Sequence, residues 1–374
     1  MMSPADSGRY FVDDEPALAA KLDQFLSTLA TDLGAQPWRE DVAALVLAGG
    51  YGRGEGGVFR ASEKAEADLY NDLEFFLFLK SGASTPPAAA WCERWERDGT
   101  VKLGIDVEFK RDAATGLQHG APTMFLYDLL QGHRVIWGDP GCLARAPARL
   151  RDPAAIPAEE ATRLLFNRGS GLWFAQMKLA ADAIDELGFV ERNQQKAKLA
   201  MGDAVLALSG RHHAMCEERD RRIASGGFAT PPDWAKLVAW HDEGTAFKLR
   251  PRHRATGLEH LKASQTALVA AWLKTFLWVE GRRLDHVFTQ PLDYVAWDRR
   301  LFPNRARWRN VAVHARDRFK RGEMLRAVTD YPRATLQRAL VAALVDGTAA
   351  GARCMGVTAT DFDTTYARWW ARYN

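Results

Sequence analysis

The sequence is poor in cysteine, and its few cysteines stand far apart. Four occur among 374 residues, no two of them form a CxxC pair, and the histidines show no metal-ligand spacing. A disulfide framework or a structural zinc site needs paired or clustered ligands. The sequence therefore predicts neither, and this cysteine usage is typical of a reducing compartment, so we expect a cytoplasmic protein.

Long apolar runs and a strong net charge are missing as well. No uninterrupted apolar segment approaches the roughly 18–20 residues that a membrane span needs, and the polar, acidic opening MMSPADSGRYFVDDEP is unlike a signal peptide. The formal net charge is only +3, which is too small to indicate a polyanionic partner. We therefore expect no membrane partner.

The hydrophobic pattern changes character close to residue 150. Before this point, strand patterns at 42–48, 72–79 and 101–110 alternate with helical patterns at 15–34, 88–98 and 123–130. Residues 58–70 read as a short helix or loop. After a proline-containing boundary at 149–157, only helical patterns follow, at 158–187, 194–219, 232–247, 255–280 and 331–346. We expect an α+β protein: a small mixed-sheet domain at 1–150, then an all-helical domain at 151–374.

Glycine, by contrast, is abundant directly after the first predicted strand. Residues 47–57 read LAGGYGRGEGG. Closely spaced glycines allow backbone N–H groups to converge on an anion, and an arginine among them adds positive charge. We expect this turn to bind the phosphates of a nucleotide through Gly49, Gly50, Gly52, Arg53 and Gly54.

Acidic residues open the next predicted strand. Asp72 and Glu74 are two positions apart, so both side chains project from one face of the strand. Asp106 and Glu108 share one face of the third predicted strand in the same way. Carboxylates that converge beside a phosphate-binding turn suit a divalent-metal site for phosphoryl transfer, and magnesium ions would relieve their mutual repulsion.

This constellation resembles the DNA polymerase beta-like nucleotidyltransferase superfamily. Its signature is an apolar strand, a Gly-Gly or Gly-Ser turn, an acid-x-acid pair at the head of the next strand and a third acid on a later strand. The matching parts, in order, are Gly49-Gly50, Asp72-Leu73-Glu74 and Ile105-Asp106-Val107. The resemblance covers residues 42–110, with weaker support as far as Gly138.

The resemblance implies an enzyme that transfers a nucleoside monophosphate from an NTP, most simply ATP, to an acceptor. It implies two Mg²⁺ ions, with Mn²⁺ as an alternative, held by Asp72, Glu74 and a third acid that also serves as the base. Asp106 is preferred for that third role because Ile and Val flank it as in the signature, and Glu108 stays open as a ligand. The acceptor is undefined: a small molecule, a protein side chain or an RNA end.

Two positions depart from the superfamily pattern. Gly50 stands where many members have serine, which removes a hydroxyl contact to phosphate. Glu74 stands where aspartate is more common, and its longer side chain would shift the metal slightly.

The helical region offers two basic features. Superfamily members often hold the triphosphate with a basic residue on a helix after the catalytic domain, and Lys196 and Lys198 are candidates. For any single lysine, a solvated helix start is the more common explanation. Residues 299–321 are rich in Arg and Lys, with Trp308 and Phe319 interleaved. Such a segment suits RNA or an ordinary surface that faces acidic neighbours.

Two other functions remain open. One is a catalytically silent nucleotide-binding or interaction module with the same fold. The other is a Rossmann-type dinucleotide binder, since Gly52-x-Gly54-x-x-Gly57 matches that fingerprint. The Rossmann reading is disfavoured because Asp72 and Glu74 head their strand, whereas the ribose-binding acid of a Rossmann unit follows it.

Overall fold

A computed structural model shows how the chain folds. It describes residues 10–61, 65–80, 86–252, 257–303, 308, 311–313 and 330–374. The predicted α+β class is confirmed: a small mixed sheet occurs in the N-terminal part, and the C-terminal part is helical.

The main sheet has four strands in the order β5-β4-β1-β6. The six strands described are β1 (Val42–Leu47), β2 (Val58–Phe59), β3 (Asp68–Leu69), β4 (Leu73–Leu79), β5 (Val107–Ala113) and β6 (Arg134–Gly138). β1 lies antiparallel to both β4 and β6, and β4 lies parallel to β5. β2 and β3 form a separate two-stranded hairpin.

Helices account for most of the remaining described structure. In the first half of the chain they are α1 (Pro16–Gly34), α2 (Gly49–Arg53), α3 (Pro86–Leu103), α4 (Gly116–His119), α5 (Met124–Gln131), α6 (Ala158–Ala180) and α7 (Leu187–Leu208). In the second half they are α8 (Cys216–Ser225), α9 (Trp234–Leu249), α10 (Leu258–Leu284), α11 (Pro291–Ala296), α12 (Pro332–Asp346), α13 (Thr348–Met355) and α14 (Phe362–Tyr373).

Alternation along β4 gives the sheet two apolar faces. Leu73, Phe75 and Leu77 point to one side, where they join a core built with α1 and α3. Phe76 and Phe78 point to the other side, where Leu129 and Leu130, near the C-terminal end of α5, cover them. Glu74 has the same parity as Phe76, so its side chain belongs to the face that α5 covers.

The chain divides into two compact units that do not follow a single boundary. One comprises residues 1–160, 206–228 and 238–255, and the other comprises residues 161–205, 229–237 and 256–374. The first unit therefore contains segments of the region that the sequence assigned to the helical domain at 151–374.

Several predicted elements are corrected. The strand predicted at 101–110 begins only at Val107, because α3 continues to Leu103 and Gly104 then turns the chain with a φ of +73°. Residues 58–70 contain the β2–β3 hairpin. The helix predicted at 158–187 ends at Ala180, and the one predicted at 194–219 is two helices, α7 and α8.

None of the helices in the described part of the chain has both the length and the apolar character needed to cross a membrane.

Candidate functional site

Three acidic side chains meet at one edge of the main sheet. Asp72 directly precedes β4, Glu74 is its second residue, and Glu108 is the second residue of β5. Each offers a carboxylate oxygen, and these oxygens all lie within 4.8 Å of one another. Asp72 and Glu108 are exposed, whereas Glu74 is half-buried. We call these three residues the acidic group.

The strand register explains why these acids meet. β4 and β5 run parallel with Glu74 opposite Glu108, and α3 forms the connection between them. Parallel strands start at the same edge of a sheet, so the acids at the head of each become neighbours. The backbone N–H of Leu73 donates to the carbonyl of Asp106 at 2.9 Å, which fixes this register.

The glycine-rich segment starts at the same edge. β1 runs antiparallel to β4, with Leu47 opposite Phe75, and the N–H of Ala48 donates to the carbonyl of Glu74 at 2.8 Å. The end of β1 therefore brings the start of α2 against the acidic group. The predicted turn contains this five-residue helix, Gly49–Arg53.

Gly49 is the glycine in direct contact with the acidic group. Its φ is +63°, a conformation that costs other residues energy, and a Cβ there would lie 3.0 Å from Oε2 of Glu74. The backbone can approach the carboxylate this closely because Gly49 has no side chain.

The other predicted nucleotide-binding glycines have contacts within the protein. A Cβ on Gly52 would lie 2.5 Å from the carbonyl oxygen of Leu47, so glycine there lets α2 pack against β1. A Cβ on Gly50 would lie 3.0 Å from the carbonyl oxygen of Glu55, and Gly54 ends the helix. These contacts explain why glycine occupies the three positions, and nucleotide binding by them stays a prediction.

Arg53, the predicted phosphate ligand, points into the protein. Its side chain is only 10% exposed, with Nε 3.9 Å from Oε2 of Glu55. Its stem passes over Gly132, where a Cβ would lie 2.3 Å from Cγ of Arg53. Oε1 of Glu55, in turn, accepts a 2.7 Å hydrogen bond from the N–H of Cys216, and Nζ of Lys248 lies 3.9 Å from Oε2. The glycine-rich segment thus has a buried ionic cluster of its own.

Glu74 lies among charges of both signs. Burial raises the pKa of its carboxyl group. The positive charge of Lys110 opposes this shift, the negative charges of Asp72 and Glu108 add to it, and Arg53 also opposes it. A carboxyl group with a raised pKa beside two further carboxylates is a place where a cation would be stabilised.

Asp106 lies outside the acidic group, as far as the described residues show. It precedes β5, its side chain is exposed, and continuing the strand register places it opposite Asp72, two residue pairs before the pair of Glu74 and Glu108. The preference for Asp106 as third acid rested on flanking residues. The geometry instead brings Glu108 to Glu74.

Three further residues near this site are not among the predicted site residues. The side chain of Asn71 accepts a 2.7 Å hydrogen bond from the N–H of Gly57 and so fastens the start of β4 to the glycine-rich segment. Nζ of Lys110 lies 4.0 Å from Oε2 of Glu108. Glu55 is completely buried. Two sequence features could have indicated these residues: Asn71 directly precedes Asp72, and Glu55 is a charged residue within a run of glycines.

The remaining predicted residues belong to the helical part of the chain. Lys196 is exposed and Lys198 is buried on α7, in the part that belongs to the second unit. Most of the basic segment 299–321 lies outside the described residues. Its binding of RNA, and the triphosphate contact of the two lysines, stay predictions.

No protein-family model matches the chain, and no curated protein matches it either.

Proposed function

We propose that the protein is a metal-dependent nucleotidyltransferase that transfers a nucleoside monophosphate from an NTP, most simply ATP, to an acceptor hydroxyl or comparable group. The observation that carries this proposal is the acidic group at the sheet edge where the glycine-rich helix begins. It supports the resemblance noted from the sequence, because the parts of that signature lie on neighbouring strands.

The residues of the acidic group fit Mg²⁺. All three donors are carboxylates, and hard oxygen ligands are what Mg²⁺ prefers, whereas zinc sites are usually built from Cys and His. Gly49 has no Cβ to crowd the Glu74 carboxylate. Asp72, Glu74 and Glu108 would hold the metal, and Mn²⁺ would suit the same ligands.

In this proposal all three acidic residues bind metal, and Glu108 also acts as the base. Asp72 and Glu74 project from one face of β4, and Glu108 approaches them from β5. Bound divalent ions would supply the positive charge that phosphoryl transfer requires. Glu108, which is exposed, replaces Asp106 as the third ligand. It accepts the proton of the acceptor hydroxyl as that oxygen bonds to the α-phosphorus of the NTP and pyrophosphate leaves.

The sheet argues against the Rossmann alternative. A dinucleotide-binding unit needs two parallel strands joined through a helix that starts at the glycines. Here the strand before the glycines, β1, is antiparallel to β4, and α2 spans only Gly49–Arg53.

We also propose a cytoplasmic location, because all four cysteines are free thiols, as a reducing compartment favours.

A labelling experiment tests the function. The protein is incubated with each NTP labelled at its α-phosphate, Mg²⁺ and a cell extract, beside an Asp72→Asn variant. We expect label from one NTP to appear in an acceptor with the wild-type protein only. If both proteins bind NTP but neither produces a labelled acceptor, the result would favour the catalytically silent module.

A further inference from the structure

Lys110 is a partly exposed cation beside the acidic group. It lies on β5, two residues after Glu108 and therefore on the same face of the sheet. Its Nζ is 4.0 Å from Oε2 of Glu108, and its side chain is 47% exposed. The other cation whose charge acts on Glu74, Arg53, is buried beside Glu55.

Two aromatic rings define where the ammonium group of Lys110 lies. Nζ is 5.6 Å from the ring centroid of Phe76 and 5.4 Å from that of Phe125. The rings are themselves in contact, with centroids 4.9 Å apart. Cation–π attraction to both rings keeps the ammonium group on this face of the sheet, while the flexible four-carbon stem still allows it to exchange partners.

We infer that Lys110 exchanges partners during the reaction: it pairs with the carboxylates of the metal-free protein and binds phosphate oxygens of the triphosphate once divalent ions hold those carboxylates. This inference rests on the proposed function and deepens it. It assigns the phosphate-binding cation to Lys110, where the sequence had indicated Arg53.

The reason is charge balance. Without metal, the half-exposed cation that the described part of the chain places beside the three carboxylates is Lys110, which is attracted to Glu108. Lys110 would lose this attraction if Glu108 held a divalent ion, because the positive charge of the ion would neutralise the carboxylate and repel the ammonium group. The negatively charged oxygens of a bound triphosphate would then attract the ammonium group of Lys110, and lysine is a common phosphate ligand.

The inference predicts opposite effects on two affinities when the charge is removed. Lys110→Met keeps the length and apolar stem of the side chain. Without nucleotide, Mn²⁺ should bind this variant about three- to tenfold more tightly than wild type, because a competing cation is gone, whereas a non-hydrolysable ATP analogue in saturating Mg²⁺ should bind about tenfold more weakly. Both affinities are measured by calorimetric titration.

Three controls complete the experiment. Lys80→Met removes the same charge from an exposed residue at the far end of β4, roughly 20 Å along the strand from Glu74 at about 3.3 Å per residue, and should leave both affinities unchanged. Lys110→Arg keeps the charge and should retain most of the affinity for the analogue. Asp72→Asn should lose Mn²⁺ binding.

Failure of the inference is distinguishable from failure of the proposed function. If Asp72→Asn binds Mn²⁺ as wild type does, the metal site itself is wrong and the proposed function fails with it. If Asp72→Asn loses Mn²⁺ but Lys110→Met changes neither affinity, or changes both in the same direction, only the role of Lys110 is overturned.

Discussion

Two charged clusters lie within the first compact unit, and they differ in charge balance. In the inner cluster, one fully buried acid, Glu55, has Arg53 and Lys248 each 3.9 Å away and an N–H donor from Cys216. The outer cluster is the acidic group, three carboxylates beside the half-exposed Lys110. Buried charges persist in a fold when they are compensated from within, so the inner cluster is structural.

The outer cluster has the opposite property. Its oxygens gather within 4.8 Å, yet its charge is compensated only in part. Like charges placed together are costly unless a cation joins them. The inner cluster therefore stabilises the fold, whereas the outer cluster can bind an external cation. Substitutions in the inner cluster should lower the unfolding free energy, and substitutions in the outer cluster should change metal binding and activity.

Glu55→Ala should produce the largest effect on stability. It leaves Arg53 and Lys248 without their buried carboxylate, and breaking a buried ion pair on one side costs about 3–5 kcal/mol of unfolding free energy. Urea denaturation at neutral pH measures this loss. Glu108→Gln, in the outer cluster, is the matched control and should change the unfolding free energy little. Equal midpoints for wild type and Glu55→Ala would contradict a structural inner cluster.

Glu108→Gln should instead produce the largest effect on activity. If Glu108 is the third acid, its loss should slow label transfer by about 10²–10³-fold, as expected for a positioned base or charge stabiliser. Asp106→Asn, two residues earlier on the same face, should cost far less, because Asp106 lies outside the acidic group. The reverse order of rates would return the third position to Asp106.

The difference between Asp106 and Glu108 shows what sequence could and could not supply. Two acids at i and i+2 share one face of a strand, so alternation alone cannot choose between them. The choice depends on the register of β5 against β4, which pairs Glu74 with Glu108. That register follows from how α3 ends and docks, and the sequence placed the end of this helix near residue 98 when it lies at Leu103.

Local patterns, in contrast, were sufficient for β1, β4 and α1. Their apolar residues are close in sequence and bury together, so the predicted and observed bounds agree to within a residue or so. The inner cluster could not be predicted in this way, because the N–H that binds Glu55 lies 161 residues further along the chain. Contacts of this kind leave no periodic signal.

Gly49→Ala should affect both stability and metal binding, because Gly49 lies where the glycine-rich helix meets the outer cluster. Alanine at a φ of +63° costs about 1–2 kcal/mol, and its Cβ would lie 3.0 Å from Oε2 of Glu74. We therefore expect a lower unfolding free energy together with weaker Mn²⁺ binding.

Gly104→Ala is the matched control for that substitution. Gly104 has a similar φ of +73°, but a Cβ there would meet nothing within 4 Å. It should lose comparable stability and keep its Mn²⁺ affinity. Equal Mn²⁺ affinities for Gly49→Ala and wild type would show that the contact with Glu74 does not matter to the metal.

Asp72→Asn should have the smallest effect on stability, and its sign should depend on the metal. In EDTA, removing one of three clustered negative charges relieves repulsion, and because Asp72 is exposed the gain is modest, about 0.5 kcal/mol. In Mg²⁺, a ligand that binds only the folded state stabilises it, so the wild-type protein should gain more than the variant. Thermal unfolding of both proteins in EDTA and in Mg²⁺ measures the two differences. If the outer cluster binds a cation, the variant should melt at the higher temperature in EDTA and the wild-type protein at the higher temperature in Mg²⁺. The same order in both conditions would mean that the protein alone balances the charge of the outer cluster, as it does in the inner one.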